Sequence, residues 1–75
     1  MAHGYSVRLT RLNAEADQTR LGVRLGKKCI AANISVHSVA KVLGVSRQTV
    51  YSWFCGFYTP QNASIGPIED FMATL

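Results

Sequence analysis

Acidic residues are scarce in this chain and are missing from its whole middle. Asp and Glu together number four, against eight Lys and Arg, and the formal net charge is +4. No acidic residue occurs between Gln18 and Ile68, whereas that interval holds Arg20, Arg24, Lys27, Lys28, Lys41 and Arg47. The interval cannot neutralise itself through ion pairs, so it carries a positive potential that attracts polyanions. The alternative is a solvated basic surface that only aids solubility.

Cysteines and long apolar runs are also few. Cys29 and Cys55 are far apart and form no Cys-x-x-Cys pair, which argues against a disulfide framework and against a zinc site. Two such cysteines fit a reducing cytosol, so we expect a cytoplasmic protein. No apolar run approaches the roughly 20 residues that cross a bilayer, and the first residues lack the layout of a signal peptide. Membrane and secreted classes are therefore disfavoured.

Constellations that carry catalysis are missing as well. The sequence shows no carboxylate pair in a catalytic context, no Ser-His-Asp or Cys-His set with support, and no glycine-rich phosphate loop. A chain of 75 residues has room for one small domain and rarely for a catalytic cleft. We therefore expect no enzyme, no cofactor, no metal site and no small-molecule ligand.

The first 18 residues allow three interpretations. Apolar and polar residues alternate near the start, which is typical of a strand. The spacing of Leu9, Leu12 and Ala16 fits one face of a helix equally well. The two arginines of the segment would suit a flexible basic arm. We treat residues 1–18 as an arm or a short extra element, and residues 19–75 as the main domain.

A helical pattern begins near Thr19. We expect Asp17 or Thr19 to cap the helix and Asn33 to end it, because Asn tolerates the left-handed conformation. Gly22 and Gly26 weaken a helix, but their spacing of four permits close approach of another element. The apolar stripe of this helix consists of Leu21, Leu25, Cys29 and Ala32.

Two short helices separated by a tight turn follow. Ser35 is placed to cap a helix over 36–43, Gly44 to end it, and Ser46 to cap a second helix that runs to about Cys55. Such a short turn makes the two helices cross steeply. The inward face of the second helix consists of Val50, Trp53 and Phe54. Its outward face consists of Arg47, Gln48, Tyr51 and Ser52.

The C-terminal part predicts one more helix. Pro60 interrupts the chain, and Gly66-Pro67 followed by Glu69 and Asp70 indicates a helix start, since proline suits the first turn and acids suit the N-terminal end of the helix dipole. The whole pattern predicts an all-α domain of four to five short helices.

The segment ISVHSVAKVLGVSRQTVYSW (34–53), followed by Gly56, resembles the helix-turn-helix of the phage-repressor/Cro group, also called XRE-type. The resemblance implies a lambda-repressor-like fold whose third helix reads bases in the major groove. It implies base contacts for Arg47, Gln48 and Ser52, with Tyr51 alongside. Residues implied to lie near phosphates are Ser35, Ser46 and Thr49. The salt-dependent attraction to phosphates would come from Arg24, Lys27, Lys28 and Lys41.

The aromatic and apolar residues of the C-terminal third exceed what one small core can bury. We expect them to make a contact between subunits, although a tightly folded C-terminal loop could absorb them. The expected contact residues are Phe57, Tyr58, Phe71, Met72 and Leu75.

The expected function is sequence-specific binding of double-stranded DNA by a small phage or bacterial transcriptional regulator, a repressor acting as a homodimer. Two further interpretations stay open. The same module could recognise viral DNA for packaging, as in small terminase subunits, where a ring of chains replaces a dimer. It could also be a protein-interaction module, such as an antitoxin or an adaptor.

Overall fold

The computed structural model describes residues 6–75, and over this range the chain is all-α, with five helices and no strand. This confirms the expected fold class, and α3 and α4 form the expected helix-turn-helix. None of the helices in this range is both long and apolar enough to cross a membrane. The helices are α1 (Val7–Glu15), α2 (Leu21–Ala31), α3 (Val36–Leu43), α4 (Arg47–Phe54) and α5 (Asn62–Ala73).

Serine side chains begin both helices of the helix-turn-helix, as predicted. Ser35 Oγ accepts a hydrogen bond from the backbone amide of Ser38 at 3.1 Å, and Ser46 Oγ accepts one from the amide of Thr49 at 3.1 Å. Each bond satisfies one of the amide donors that a helix leaves free in its first turn, which stabilises a helix by about 1 kcal/mol. The local sequence therefore fixes where α3 and α4 begin.

The turn between α3 and α4 depends on one left-handed residue. Gly44 has φ 69° and ψ 33°, a region that residues with a Cβ enter at a cost. Beyond it, the Val45 amide donates to the Ala40 carbonyl at 3.1 Å and closes the end of α3. The chain then enters α4 within two residues, so the relative orientation of the two helices is set by the turn itself.

The hydrophobic core lies between α2, α3 and α4, with α1 and α5 packed around it. Phe54, Leu25 and Val50 are fully buried, and Trp53 is nearly so, which confirms the predicted inward face of α4. Further apolar side chains of the core are Leu9, Val23, Cys29, Val36, Val39, Ala40 and Ile68.

The two glycines of α2 lie where α2 and α4 approach closely, as their spacing predicted. A Cβ at Gly22 would lie 2.8 Å from Trp53 Cβ, and a Cβ at Gly26 would lie 2.8 Å from Phe54 Cγ. Neither distance leaves room for a methyl group. The two glycines therefore let the backbone of α2 pack directly against Trp53 and Phe54 of α4.

The helical interpretation of the first segment is the one that the structure supports over 7–15. Leu9 and Asn13 of α1 are buried, and the Asn13 side-chain amide donates to the carbonyls of Val23, at 3.1 Å, and Phe54, at 2.8 Å. The strand and the flexible arm are therefore wrong for this range. The first five residues, where the alternation began, lie outside the described part of the chain.

The predicted cap of α2 is wrong. Arg20 occupies the N-cap position, and no side chain of the described residues caps the helix there. The Asp17 carboxylate instead accepts hydrogen bonds from the hydroxyl and the amide of Thr19, at 2.6 and 2.9 Å, and these bonds lower the pKa of Asp17. Asp17 thus organises the turn that precedes α2. At the other end Asn33 has φ 58°, which agrees with its predicted role in ending the helix.

The predicted start of α5 is also wrong. The helix begins at Asn62, and Pro67 lies inside it. Proline removes the bond to the carbonyl four residues earlier, that of Ala63, but Ala63 is exposed in the first turn, where water can hydrate the carbonyl. Glu69 and Asp70 accordingly lie beyond the middle of α5, where a favourable effect of the N-terminal dipole no longer reaches them.

Candidate nucleic-acid interface

The outward face of α4 is polar and accessible along its length. Arg47, Gln48 and Tyr51 are exposed, and Ser52 is half-buried. With 3.6 residues per turn, Gln48 and Ser52 lie on the side of the helix opposite to the buried Trp53 and Phe54. The structure therefore brings the four predicted base-contacting residues together on α4.

A groove of about 530 Å³ runs beside this face, between α4 and the chain that leads into α5. Gln48, Thr49 and Ser52 line one wall. The other wall consists of residues that the sequence analysis did not place at the interface: Tyr58, Thr59, Gln61 and Ser64. No local signal could have identified this wall, because it depends on how the chain folds back after α4.

A chain reversal and two hydrogen bonds hold the second wall in place. Gly56 has φ 77° and reverses the chain, and the Phe57 amide then donates to the Ser52 carbonyl at 2.9 Å. From the other side, Arg20 Nη1 donates to the Thr59 hydroxyl at 3.2 Å. The sequence predicts no role for Arg20 at the interface. The contact brings a positive charge close to the groove.

Hydroxyl groups at this surface are already engaged within the protein. Ser52 Oγ donates its proton to the Gln48 carbonyl at 3.1 Å, so its free lone pairs can accept but its proton is used. Ser46 Oγ and Thr49 Oγ1 are hydrogen-bonded to each other at 2.9 Å. Arg47, the Gln48 amide and the Tyr51 hydroxyl keep donors that no other described residue engages. The face can thus both donate and accept, which is what distinguishing base pairs requires.

A scan of protein-family models, a search of curated proteins and a search of solved structures find no match to this chain.

Three of the predicted phosphate-contacting cations are not brought to the α4 face. Arg24, Lys27 and Lys28 are exposed on α2, on the side opposite to the glycines that pack against α4. Together with Met72 they line a separate groove. The fourth cation, Lys41, is exposed on α3.

The residues predicted for a subunit contact differ in exposure and in surroundings. Phe57 and Tyr58 are 64% and 70% exposed, but Tyr58 lines the groove beside α4. Phe71 and Met72 are half-buried and pack against the core, so the C-terminal helix absorbs them in part. Leu75 is 39% exposed at the end of the chain. Phe57 is thus the most accessible apolar member of the set that lies outside both grooves.

Both cysteines are free thiols in packed surroundings. Burial raises the pKa of the Cys29 thiol to about 11. Burial also raises the pKa of Cys55, while the nearby Arg8 guanidinium acts in the opposite direction. Among residues 6–75 no three His, Cys, Asp or Glu side chains are grouped so that they could hold a metal ion.

The two thiols should differ in reactivity. In native protein at pH 8 we expect iodoacetamide to alkylate Cys55 slowly and to leave Cys29 unmodified, because Cys29 is fully buried and only the thiolate reacts. Mass spectrometry of digested samples measures both rates, and protein unfolded in urea is the control in which both thiols react. Equal rates at the two positions in native protein would contradict the packing of Cys29.

Proposed function

We propose that this protein binds double-stranded DNA and reads its sequence through the outward face of α4. The observation that carries the proposal is the capped helix-turn-helix, which holds Arg47, Gln48, Tyr51 and Ser52 on one accessible helix face. An α-helix fits the major groove, whose width of about 12 Å matches a helix with its side chains. A helix held at a fixed angle by its neighbour is the geometry that such reading requires.

The side chains of this face suit base edges. Arg47 can donate two bonds to guanine O6 and N7, and Gln48 can bond adenine N6 and N7 in a bidentate manner. The Tyr51 ring offers an apolar surface to a thymine methyl group. Because the Ser52 hydroxyl donates to the Gln48 carbonyl, we expect Ser52 to accept from an amino group of cytosine or adenine.

The charge distribution supports the same function. The interval from Gln18 to Ile68 holds no acids, and Arg47 lies on the α4 face itself, so the positive charge there attracts the phosphate backbone and accelerates encounter with DNA. Lys41 and Arg20 add positive charge from α3 and from the start of α2. Phosphates near the N-terminal ends of α3 and α4 would meet the positive ends of the helix dipoles, beside Ser35, Ser46 and Thr49.

The biological role that fits is a small transcriptional regulator that acts by occupying its site. As a homodimer it would place two copies of α4 in successive major grooves, about 34 Å apart. A packaging protein would instead assemble as a ring, which native mass in solution distinguishes from a dimer. A pure protein-interaction module would show no mobility shift with DNA at low salt.

Replacement of Arg47 tests base reading. After selection of a preferred DNA fragment from a random pool, Arg47→Ala should weaken binding to that fragment by about 1–3 kcal/mol, which is roughly 5- to 150-fold, and relax the preference at one base pair. Fluorescence anisotropy with the selected and a scrambled duplex measures both effects.

Arg11→Ala is the matched control, because Arg11 is an exposed arginine on α1 and the change in charge is the same. We expect this variant to retain the preference for the selected duplex. Equal loss of affinity for the selected and the scrambled duplex after Arg47→Ala would show that Arg47 contributes charge and does not read bases.

A further inference from the structure

Three cations of α2 form a second positive surface with no role at the α4 face. Arg24, Lys27 and Lys28 line a groove of about 390 Å³ with Met72 of α5. Their spacing of three and four residues places them on one side of the helix, with neighbouring Cβ atoms about 5–6 Å apart. We call Arg24, Lys27 and Lys28 the α2 basic face.

The α2 basic face and the α4 face point in opposite directions. On α2 the inward positions are Gly22 and Gly26, which meet Trp53 and Phe54 of α4. The cations occupy the other side of α2, just as Gln48 and the other polar residues occupy the other side of α4. The two packed helices therefore separate Arg24, Lys27 and Lys28 from Gln48 and Ser52, whereas Arg20, one turn before Arg24, still reaches the groove beside α4.

From ideal helix and groove dimensions we expect one duplex not to reach both surfaces. A helix with its side chains is about 10–12 Å across, so two stacked helices span about 20 Å. The major groove is only about 8.5 Å deep, which leaves the cations about 10 Å beyond its rim. That gap exceeds the Debye length of about 8 Å at physiological salt, so most of the attraction to the bound duplex is screened.

We propose that the α2 basic face binds a second segment of double-stranded DNA, so that one domain bridges two duplexes. This inference rests on the proposed function, because it assumes that the α4 face is occupied by the first duplex. Binding at the α2 basic face is independent of sequence, since the lysine and arginine side chains there meet phosphates alone.

The shape and charge of this surface favour DNA over an acidic protein segment. The cations project from a convex helix, and the apolar part of the groove is a single half-buried side chain, Met72, which offers no deep pocket for an anchor residue. A run of cations at helical spacing instead suits a continuous polyanion. The segment from Gln18 to Ile68 holds no acid, and the acids of α5, the helix that contributes Met72, are the exposed Glu69 and Asp70.

A capture experiment tests the bridge. A selected duplex is fixed to beads and loaded with the full-length chain, and a second, labelled duplex of scrambled sequence is added at low salt. We expect wild-type protein to retain the second duplex and the variant Arg24→Ala/Lys27→Ala/Lys28→Ala to retain only background. Anisotropy with the selected duplex alone should give the same affinity and the same salt dependence for both proteins.

A charge-altered control variant, Arg8→Ala/Arg11→Ala on α1, should keep the capture, and circular dichroism confirms that each variant is folded.

If the α2 cations contacted the first duplex, the triple variant would lose about 0.9 in salt slope per phosphate contact, and the proposal would be wrong. Capture that persists in the triple variant would also overturn it, as would selective binding of a glutamate-rich peptide by wild type without capture. Wild-type protein that binds no duplex at all overturns the proposed function and this inference together, whereas binding without capture overturns this inference alone.

Discussion

Replacement of Asn13 by aspartate is expected to destabilise the protein by about 3–5 kcal/mol at pH 7, because it places an unpaired charge in the core. Asn13 is 3% exposed and donates from one nitrogen to the carbonyls of Val23 and Phe54. An ionised carboxylate would face those two oxygens with no proton to donate. A domain of this size has only about 4–11 kcal/mol of stability, so much of it would be lost.

The loss should depend on pH in a defined direction. Burial and the two carbonyl oxygens would raise the pKa of this aspartate above the unfolded value of about 3.9, so the folded variant would bind the proton more tightly than the unfolded chain. The variant is therefore least stable above its folded pKa and recovers as the pH falls toward the unfolded value. Urea unfolding at pH 7 and pH 5, with wild type as the control, measures the recovery. A deficit of the same size at both pH values would contradict a buried charge.

Replacement of Gly26 by alanine should destabilise the protein, because the strain of the added methyl group exceeds the gain in helix propensity. Alanine improves helix propensity by about 1 kcal/mol, but the new Cβ would lie 2.6 Å from Asn13 Nδ2 and 2.8 Å from Phe54 Cγ. Both neighbours are buried, and overpacking of this kind costs about 1–3 kcal/mol and occasionally more. We expect Gly26→Ala to lower the free energy of unfolding, as measured by urea denaturation.

Gly66→Ala is the matched control for that experiment. Gly66 also lies inside a helix, but nothing lies within 4 Å of a Cβ built there. We expect a change of about 1 kcal/mol or less, with propensity opposed by the restriction that Pro67 places on its predecessor. If Gly26→Ala stabilised the protein, the close contact between α2 and α4 would be refuted.

The local signals of the sequence predicted the helix-turn-helix well. Ser35, Gly44 and Ser46 act through bonds to residues three or four positions away, so their effects can be read without knowledge of the tertiary fold. The inward face of α4 followed from helical periodicity for the same reason. The placement of Arg47, Gln48, Tyr51 and Ser52 on the opposite face was then a geometric consequence.

The failures of the sequence analysis involve contacts between distant segments. The burial and hydrogen bonds of Asn13 could not be predicted, because its partners, Val23 and Phe54, are ten and 41 positions away. The cations of α2 could not be assigned to a surface before the packing partner of Gly22 and Gly26 was known. Pro67 led to a wrong start for α5. The helix tolerates the lost backbone hydrogen bond because the carbonyl concerned lies in an exposed first turn.

The hydrogen bond from Asn13 to the Phe54 carbonyl would affect the entropy cost and the rate of binding. Ser46 holds the front of α4, and Asn13 holds its last residue. Because both ends of α4 are fixed before binding, the helix loses little conformational entropy when it binds. Less of the favourable interaction free energy is therefore offset by ordering. Association should then proceed as a collision of nearly rigid bodies, with no folding of the reading segment to slow it.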